Sequence, residues 1–152
     1  MTLDKIDRQI LRVLQREGRI SNAELSERVN LSPTPCLRRV KRLEDSGVIN
    51  RYVAELDRSQ LGLKVSAYVF VRLERNSTIN AERFERAIGS LIQVEECSVL
   101  SGEYDYLVKV VAEDLEDYER FIKQQLAAIE EVDTINTTII LKQVMSRQPL
   151  PV

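Results

Sequence analysis

The residues from Ser32 to Glu44, SPTPCLRRVKRLE, combine side chains suited to DNA with the spacing of a helix. At about 100° per residue, Cys36, Leu37, Val40 and Leu43 share one stripe, and Thr34, Pro35, Arg38, Arg39, Lys41 and Arg42 occupy the rest of the circumference. Such a helix packs with one side and offers the other to a polyanion. Ser32 stands at the N-cap, and Pro33 suits the first helical position, where the missing N–H has no intrahelical partner to lose. Gly47 supplies the stop, ahead of the apolar pair Val48 and Ile49. With the first turn of this helix in a major groove, Thr34, Pro35 and Arg38 lie nearest base edges, Thr34 or Pro35 against a thymine methyl. Arg39, Lys41 and Arg42 are expected on phosphates, giving affinity and salt dependence without sequence information, and Arg51 reaches the backbone from beyond the turn.

A second group suits a small molecule. In Ser101-Gly102-Glu103-Tyr104-Asp105-Tyr106, backbone amides exposed at a glycine turn stand beside acidic side chains. Together they can hold the carboxylate and the ammonium of an amino acid. The same residues also suit a plain strand connection, with glycine for its φ freedom. Thr134, Thr137 and Thr138 are β-formers whose hydroxyls add polar groups near the chain's last strand. Cys36 and Cys97 lie far apart without a CxxC pair, and the chain has no histidine, so neither a disulfide framework nor a metal site is expected. Both cysteines read as packed side chains.

These side chains need elements to hold them. Leu3, Ile6, Ile10, Val13 and Leu14 recur at helical spacing from about residue 4 to Glu17, with Gly18 as the stop. Ser21-Asn22-Ala23-Glu24 has the Ser-x-x-Glu form of a capping box opening a short second helix, and Asn30-Leu31-Ser32 leads directly into the basic helix. Three short helices with a tight turn before the last form a helix-turn-helix arrangement. From Ile49 to Leu56 the chain alternates as a strand or wing would, and residues 57–63 read as a hinge. Val65, Ala67, Val69, Val71 and Leu73 then form one apolar face of a strand, while Tyr68 and Phe70 make the other face partly apolar. A helix with Phe84, Ile88 and Leu91 follows, then strands at 94–100 and 104–111. A helix with Leu115, Tyr118, Ile122, Leu126 and Ile129 precedes a last strand from about Val132 to Val144. The order β-α-β-β-α-β is the ferredoxin-like split motif. Two helices cover one face of such a sheet, so the other calls for a partner, most simply another subunit.

The predicted class is therefore α+β, with a DNA-binding domain over 1–50, a linking strand and hinge over 51–63, and a ferredoxin-like domain over 64–152. With 43% hydrophobic and 30% charged residues, the 152-residue chain has an ordinary globular composition, and its net charge of −2 conceals an asymmetry. Residues 1–62 hold 12 basic and 9 acidic residues, a net of +3, and the remainder holds 10 and 15, a net of −5. A basic head joined to an acidic body fits a nucleic-acid module coupled to a part that avoids phosphate. No apolar run approaches membrane-spanning length and no signal-peptide pattern opens the chain, so a cytoplasmic protein without membrane contact is expected.

The segments LDKIDRQIL, RISNAELSERVNLSPTPCLRRVKRLEDSGVI and VEECSVLSGEYDYLVKV, in this order and spacing, resemble the Lrp/AsnC (feast/famine) transcriptional regulators, and most of all the leucine-responsive branch. The likeness covers nearly the whole chain. It implies a winged helix-turn-helix followed by a ferredoxin-like ligand-binding domain, dimers that commonly assemble into octamers, and amino-acid effectors bound where dimers meet. It maps the recognition helix onto Ser32 to Glu44 and the effector loop onto Ser101 to Asp105, supported by the last strand near Thr134 to Thr138. The expected partners are double-stranded DNA, further copies of the chain, and leucine or another small amino acid, with no cofactor. Two other functions compete. An architectural DNA-compacting protein would lack an effector and show a steep salt slope. A haem-pathway decarboxylase has the same two-domain build, but such chemistry usually calls on histidine.

Overall fold

The computed structural model describes residues 2–75 and 77–152. Its first helix, α1 (Lys5–Leu14), opens on a reciprocal capping box in which the Asp7 N–H donates to the Asp4 carboxylate and the Asp4 N–H to that of Asp7. Sequence reading carried this helix to Glu17; it stops a turn earlier. The expected Ser21–Glu24 box opens α2 (Asn22–Arg28). Asn30 adopts a positive φ of 53° in the turn that follows, a conformation asparagine tolerates better than most residues. The basic helix is α3 (Pro33–Asp45). Ser32 occupies its N-cap, yet the hydroxyl makes no capping hydrogen bond. The start of α3 is tied instead to α2, where the Asn22 amide donates to the Pro33 carbonyl at 2.9 Å.

Ile10, Leu11, Leu25, Val29, Cys36 and Leu43 form the core of this three-helix unit, with Val40 partly buried against them. Leu37, placed on the apolar stripe by its spacing, is 55% exposed. It lies about 100° from Cys36 around the helix, too far to face a core centred on Cys36, Val40 and Leu43. Past Gly47 the expected wing strand over 49–56 is absent: among the described residues no segment pairs with it. Tyr52 is held by a hydrogen bond from its hydroxyl to Glu44, and its ring stands where a Cβ on Gly18 would meet it at 3.4 Å.

Two compact units emerge, Met1–Glu55 with Val144–Val152, and Leu56–Gln143. The last nine residues thus group with the helical unit, whereas sequence reading assigned them to the C-terminal domain. Arg12 Nε donates to the Val152 carbonyl at 2.6 Å, and Gln15 bonds both the N–H and the carbonyl of Leu150.

The second unit holds β1 (Val65–Leu73), α4 (Thr78–Ile88), β2 (Val94–Val99), β3 (Tyr106–Ala112), α5 (Leu115–Phe121) and β4 (Val132–Ile139). The sheet order is β2-β3-β1-β4 with every neighbouring pair antiparallel, the ferredoxin-like topology. Ala67, Val69, Val71 and Leu73 are buried with Val108, Val110, Phe84, Phe121 and Leu126, as alternation predicted. The helical spacing through Ile129 is interrupted: a π-turn (Ile122–Leu126) follows α5, with the Ala127 N–H bonded to the Ile122 carbonyl. β4 is shorter than expected, ending at Ile139 rather than Val144, because beyond the Ile140 N–H bond to Ser66 it has outrun its neighbour β1.

Candidate nucleic-acid interface and effector site

On α3, Thr34, Pro35, Arg38, Lys41 and Arg42 are all exposed, as are Ser32 before it and Arg51 beyond it. The helix therefore presents its first turn and its outer face together. Arg39 is different: it is half-buried and directed toward α1. Its Nη1 donates to Asp4 at 2.7 Å and to Asp7 at 2.8 Å, while Arg42 Nη2 donates to both Asp7 oxygens at 2.7 Å. Hydrogen bonds from its own helix end and from Arg39 hold the Asp4 carboxyl below its ordinary value, and the Arg39 guanidinium is raised in return by Asp4 and Asp7. Sequence reading did not single out Asp4 or Asp7 as partners of the basic helix. Their i, i+3 spacing at the start of α1 signals a cap and not a link to α3. Leu37 was likewise missed as a surface side chain flanking the outer face.

The glycine turn joins β2 to β3. Asp105 closes the end of β1: its carboxylate accepts the Leu73 N–H at 2.8 Å and its own N–H donates to the Val71 carbonyl. Glu103 lies 3.2 Å from Arg72 Nη2, and the Arg72 guanidinium sits 5.4 Å over the Tyr104 ring. Tyr104 in turn packs against Phe70 with ring centroids 5.5 Å apart. The Arg72 Nε is buried without a hydrogen-bond partner. Ser101 and Gly102 are exposed at the tip, where a Cβ on Gly102 would meet nothing.

The three threonines divide between the faces of the sheet. Thr134 and Thr138 are opposite Arg72 and Tyr68, on the face turned away from α4 and α5. Thr137 is opposite the buried Val69 and accepts the Tyr118 hydroxyl at 2.8 Å, on the side of α5. Side chains alternate along a strand, so Thr137 cannot join the other two. Arg72 and Asn136, which sequence reading left out, do share the open face with the glycine turn's Tyr104 partner Phe70. Arg72 carries no local signal, since an arginine on an alternating strand is an ordinary solvated side chain.

A helix-turn-helix with an outward basic helix, joined to a ferredoxin-like sheet with one open face, defines a ligand-responsive class of DNA-binding protein. Residues 3–50 match the winged helix-turn-helix DNA-binding family and residues 66–150 the Lrp/AsnC ligand binding domain. The chain belongs to the Lrp/AsnC family of transcriptional regulators. It is 45% identical to the leucine-responsive regulatory protein of Rhizobium meliloti, over 93% of this chain and 91% of that one. Identity to the protein of the same name in Escherichia coli is 41%, over 93% and 87%. Among solved structures, a transcriptional regulator from Neisseria meningitidis in complex with L-Met superposes with a TM-score of 0.94 at 38% identity, covering 99% of this chain and 97% of that one. No helix among the described residues is long and apolar enough to cross a membrane.

Proposed function

We propose that this regulator reads DNA with the first turn of α3 and changes its assembly or DNA affinity when a small amino acid binds beside the β2–β3 turn, between subunits. The observation that carries the reading is the pairing of an exposed recognition face on α3 with the Arg72–Tyr104–Glu103 cluster on an uncovered sheet face. On α3, Thr34, Pro35 and Arg38 meet base edges, and Lys41 and Arg51 meet phosphates. At the turn, Ser101 and Gly102 supply backbone donors to a carboxylate, Glu103 and Asp105 supply charge for an ammonium, and Thr134 and Thr138 border the site. Arg72 adds a cation for the carboxylate end. The likeness to the L-Met-bound Neisseria protein supports a small, apolar amino acid, with leucine and methionine as the first candidates.

The open face carries Tyr68 and Phe70 from β1 and Leu107 and Val111 from β3. Half-exposed apolar side chains on such a face favour a homodimer, and dimers assembling into an octamer bring effector turns from neighbouring subunits together. An effector at such a boundary acts only through unequal affinity for two assembly states, so its binding and DNA binding are reciprocally linked. A cytoplasmic location fits a DNA-binding regulator of this family.

A thermal-shift screen against the twenty amino acids tests the effector half. A ligand specific to the folded assembly at a hundredfold excess over Kd adds about 2.7 kcal/mol. Stabilisation by one or a few related side chains supports the reading. A flat response across all twenty rejects it and favours an effector-free architectural protein.

A further inference from the structure

We infer that Asp7 is a positioning residue that holds Arg39 and Arg42 off the phosphate backbone and so limits the sequence-independent grip of the reading head. The inference rests on α3 being the DNA-reading helix. Asp7 is 1% exposed and its carboxylate is fixed from two directions. One oxygen accepts the Asp4 N–H and Arg42, and the other accepts Arg39 and Arg42. The backbone of Asp7 is itself pinned by the Asp4 carboxylate at 2.8 Å. A carboxylate so held has no freedom to follow the arginines toward solvent, so Arg39 Nη1 and Arg42 Nη2 reach a phosphate only by leaving it.

Four cations lie on α3. Two are engaged by Asp4 and Asp7 at the start of α1, and among the described residues Arg38 and Lys41 hold no such ion pair. The pairing is also well formed: Arg39 is shared between two carboxylates, and Arg42 spans both oxygens of a carboxylate from which water is excluded. Asp7 is removed from water while the Arg42 side chain is 51% exposed and that of Arg39 26%, so exchanging the pairing for a solvated phosphate gives up a charge-assisted bond to a buried carboxylate. Each phosphate neutralised by a cation contributes about −0.9 to the slope of log K against log salt. A helix with four basic side chains therefore acts as one with two, and the pairing sets how many counterions each head releases.

The test is binding of the full-length protein to a random-sequence duplex over a series of salt concentrations, read by fluorescence anisotropy. Arg42→Gln is expected to leave the slope of the parent unchanged, while Lys41→Gln makes it shallower by about 0.9 per head. Asp7→Asn is expected to steepen it by about 0.9 per head, for Arg42, because Asp4 still holds Arg39 at 2.7 Å, and to raise random-duplex affinity at low salt. A residue that merely supports the fold would lower affinity without steepening the slope. The inference is overturned if Arg42→Gln costs about 0.9 of slope, or if folded Asp7→Asn keeps the parent's slope. Should Asp7→Asn not fold, Arg42→Gln decides alone, because Arg39 still pairs Asp7 in that variant. A parent protein that binds no duplex at any salt overturns the DNA reading itself along with the inference.

Discussion

Single side chains here do two jobs at once, and substitutions separate them. Asp105 accepts the Leu73 N–H at the end of β1 and also brings charge to the glycine turn. Asp105→Ala leaves that N–H without its acceptor and should cost about 1–3 kcal/mol in addition to abolishing the effector response. Asp105→Asn keeps an acceptor oxygen while losing the charge. Denaturant midpoints measured beside effector titrations are expected to show near-normal stability and a lost response for the asparagine variant; an intact response would remove the charge of Asp105 from the site. Arg38 lies on the outer face near the start of α3, so Arg38→Ala should cost about 1–3 kcal/mol on the preferred site and relax preference at one base pair, visible in competition against single-base variants. An equal loss on every duplex would make it a phosphate contact. Asp4 adds a pH dependence. Its folded pKa lies below its ordinary 3.8, chiefly through the Asp7 N–H and then Arg39. Such a group contributes stability above its unfolded value and loses it as pH falls through the folded one. Melting temperatures of the helical unit should therefore drop as the pH is taken below 3.8, and less so in Asp4→Asn, which keeps the cap.

Among the elements, the ends of α3 decide where its exposed basic face begins and stops. Gly47 has φ of +74°, and a Cβ there would meet no neighbour within 4 Å, so any cost of substitution is backbone strain alone. Gly47→Ala should cost about 1–2 kcal/mol in a urea titration, and a neutral result would mean that the turn re-forms with negative φ. On β4, the Tyr118 hydroxyl meets Thr137 at 2.8 Å. Tyr118→Phe should cost about 0.5–1.5 kcal/mol while leaving any amino-acid response unchanged, since Thr137 points away from the open face. Periodicity made nearly every element legible: the apolar alternation of 65–73 became β1 with no displacement, and the Ser21–Glu24 box formed as written. The misses share a cause. Among the described residues the segment 49–56 finds no strand to pair with, β4 ends where its neighbour ends, and the π-turn after α5 falls between the buried Phe121 and Leu126, which spacing alone does not mark.

For the whole molecule, the open sheet face is the feature with the largest consequence. Tyr68 is 36% exposed on a face that α4 and α5 leave bare. A charge at its centre, Phe70→Asp, should shift the protein toward monomer in sedimentation-velocity experiments and weaken the amino-acid response with it. An unchanged assembly would assign self-association to another surface. The amino-acid order alone determined the class of fold, the basic helix and the glycine turn, because each is written in local periodicity, capping residues and charge. It did not show that Asp4 and Asp7 engage Arg39 and Arg42, or that Arg72 stacks on Tyr104. Nor did it show that the last nine residues lie with α1. Those facts join residues tens of positions apart, and they arise only when packing of the elements brings one side chain within reach of another.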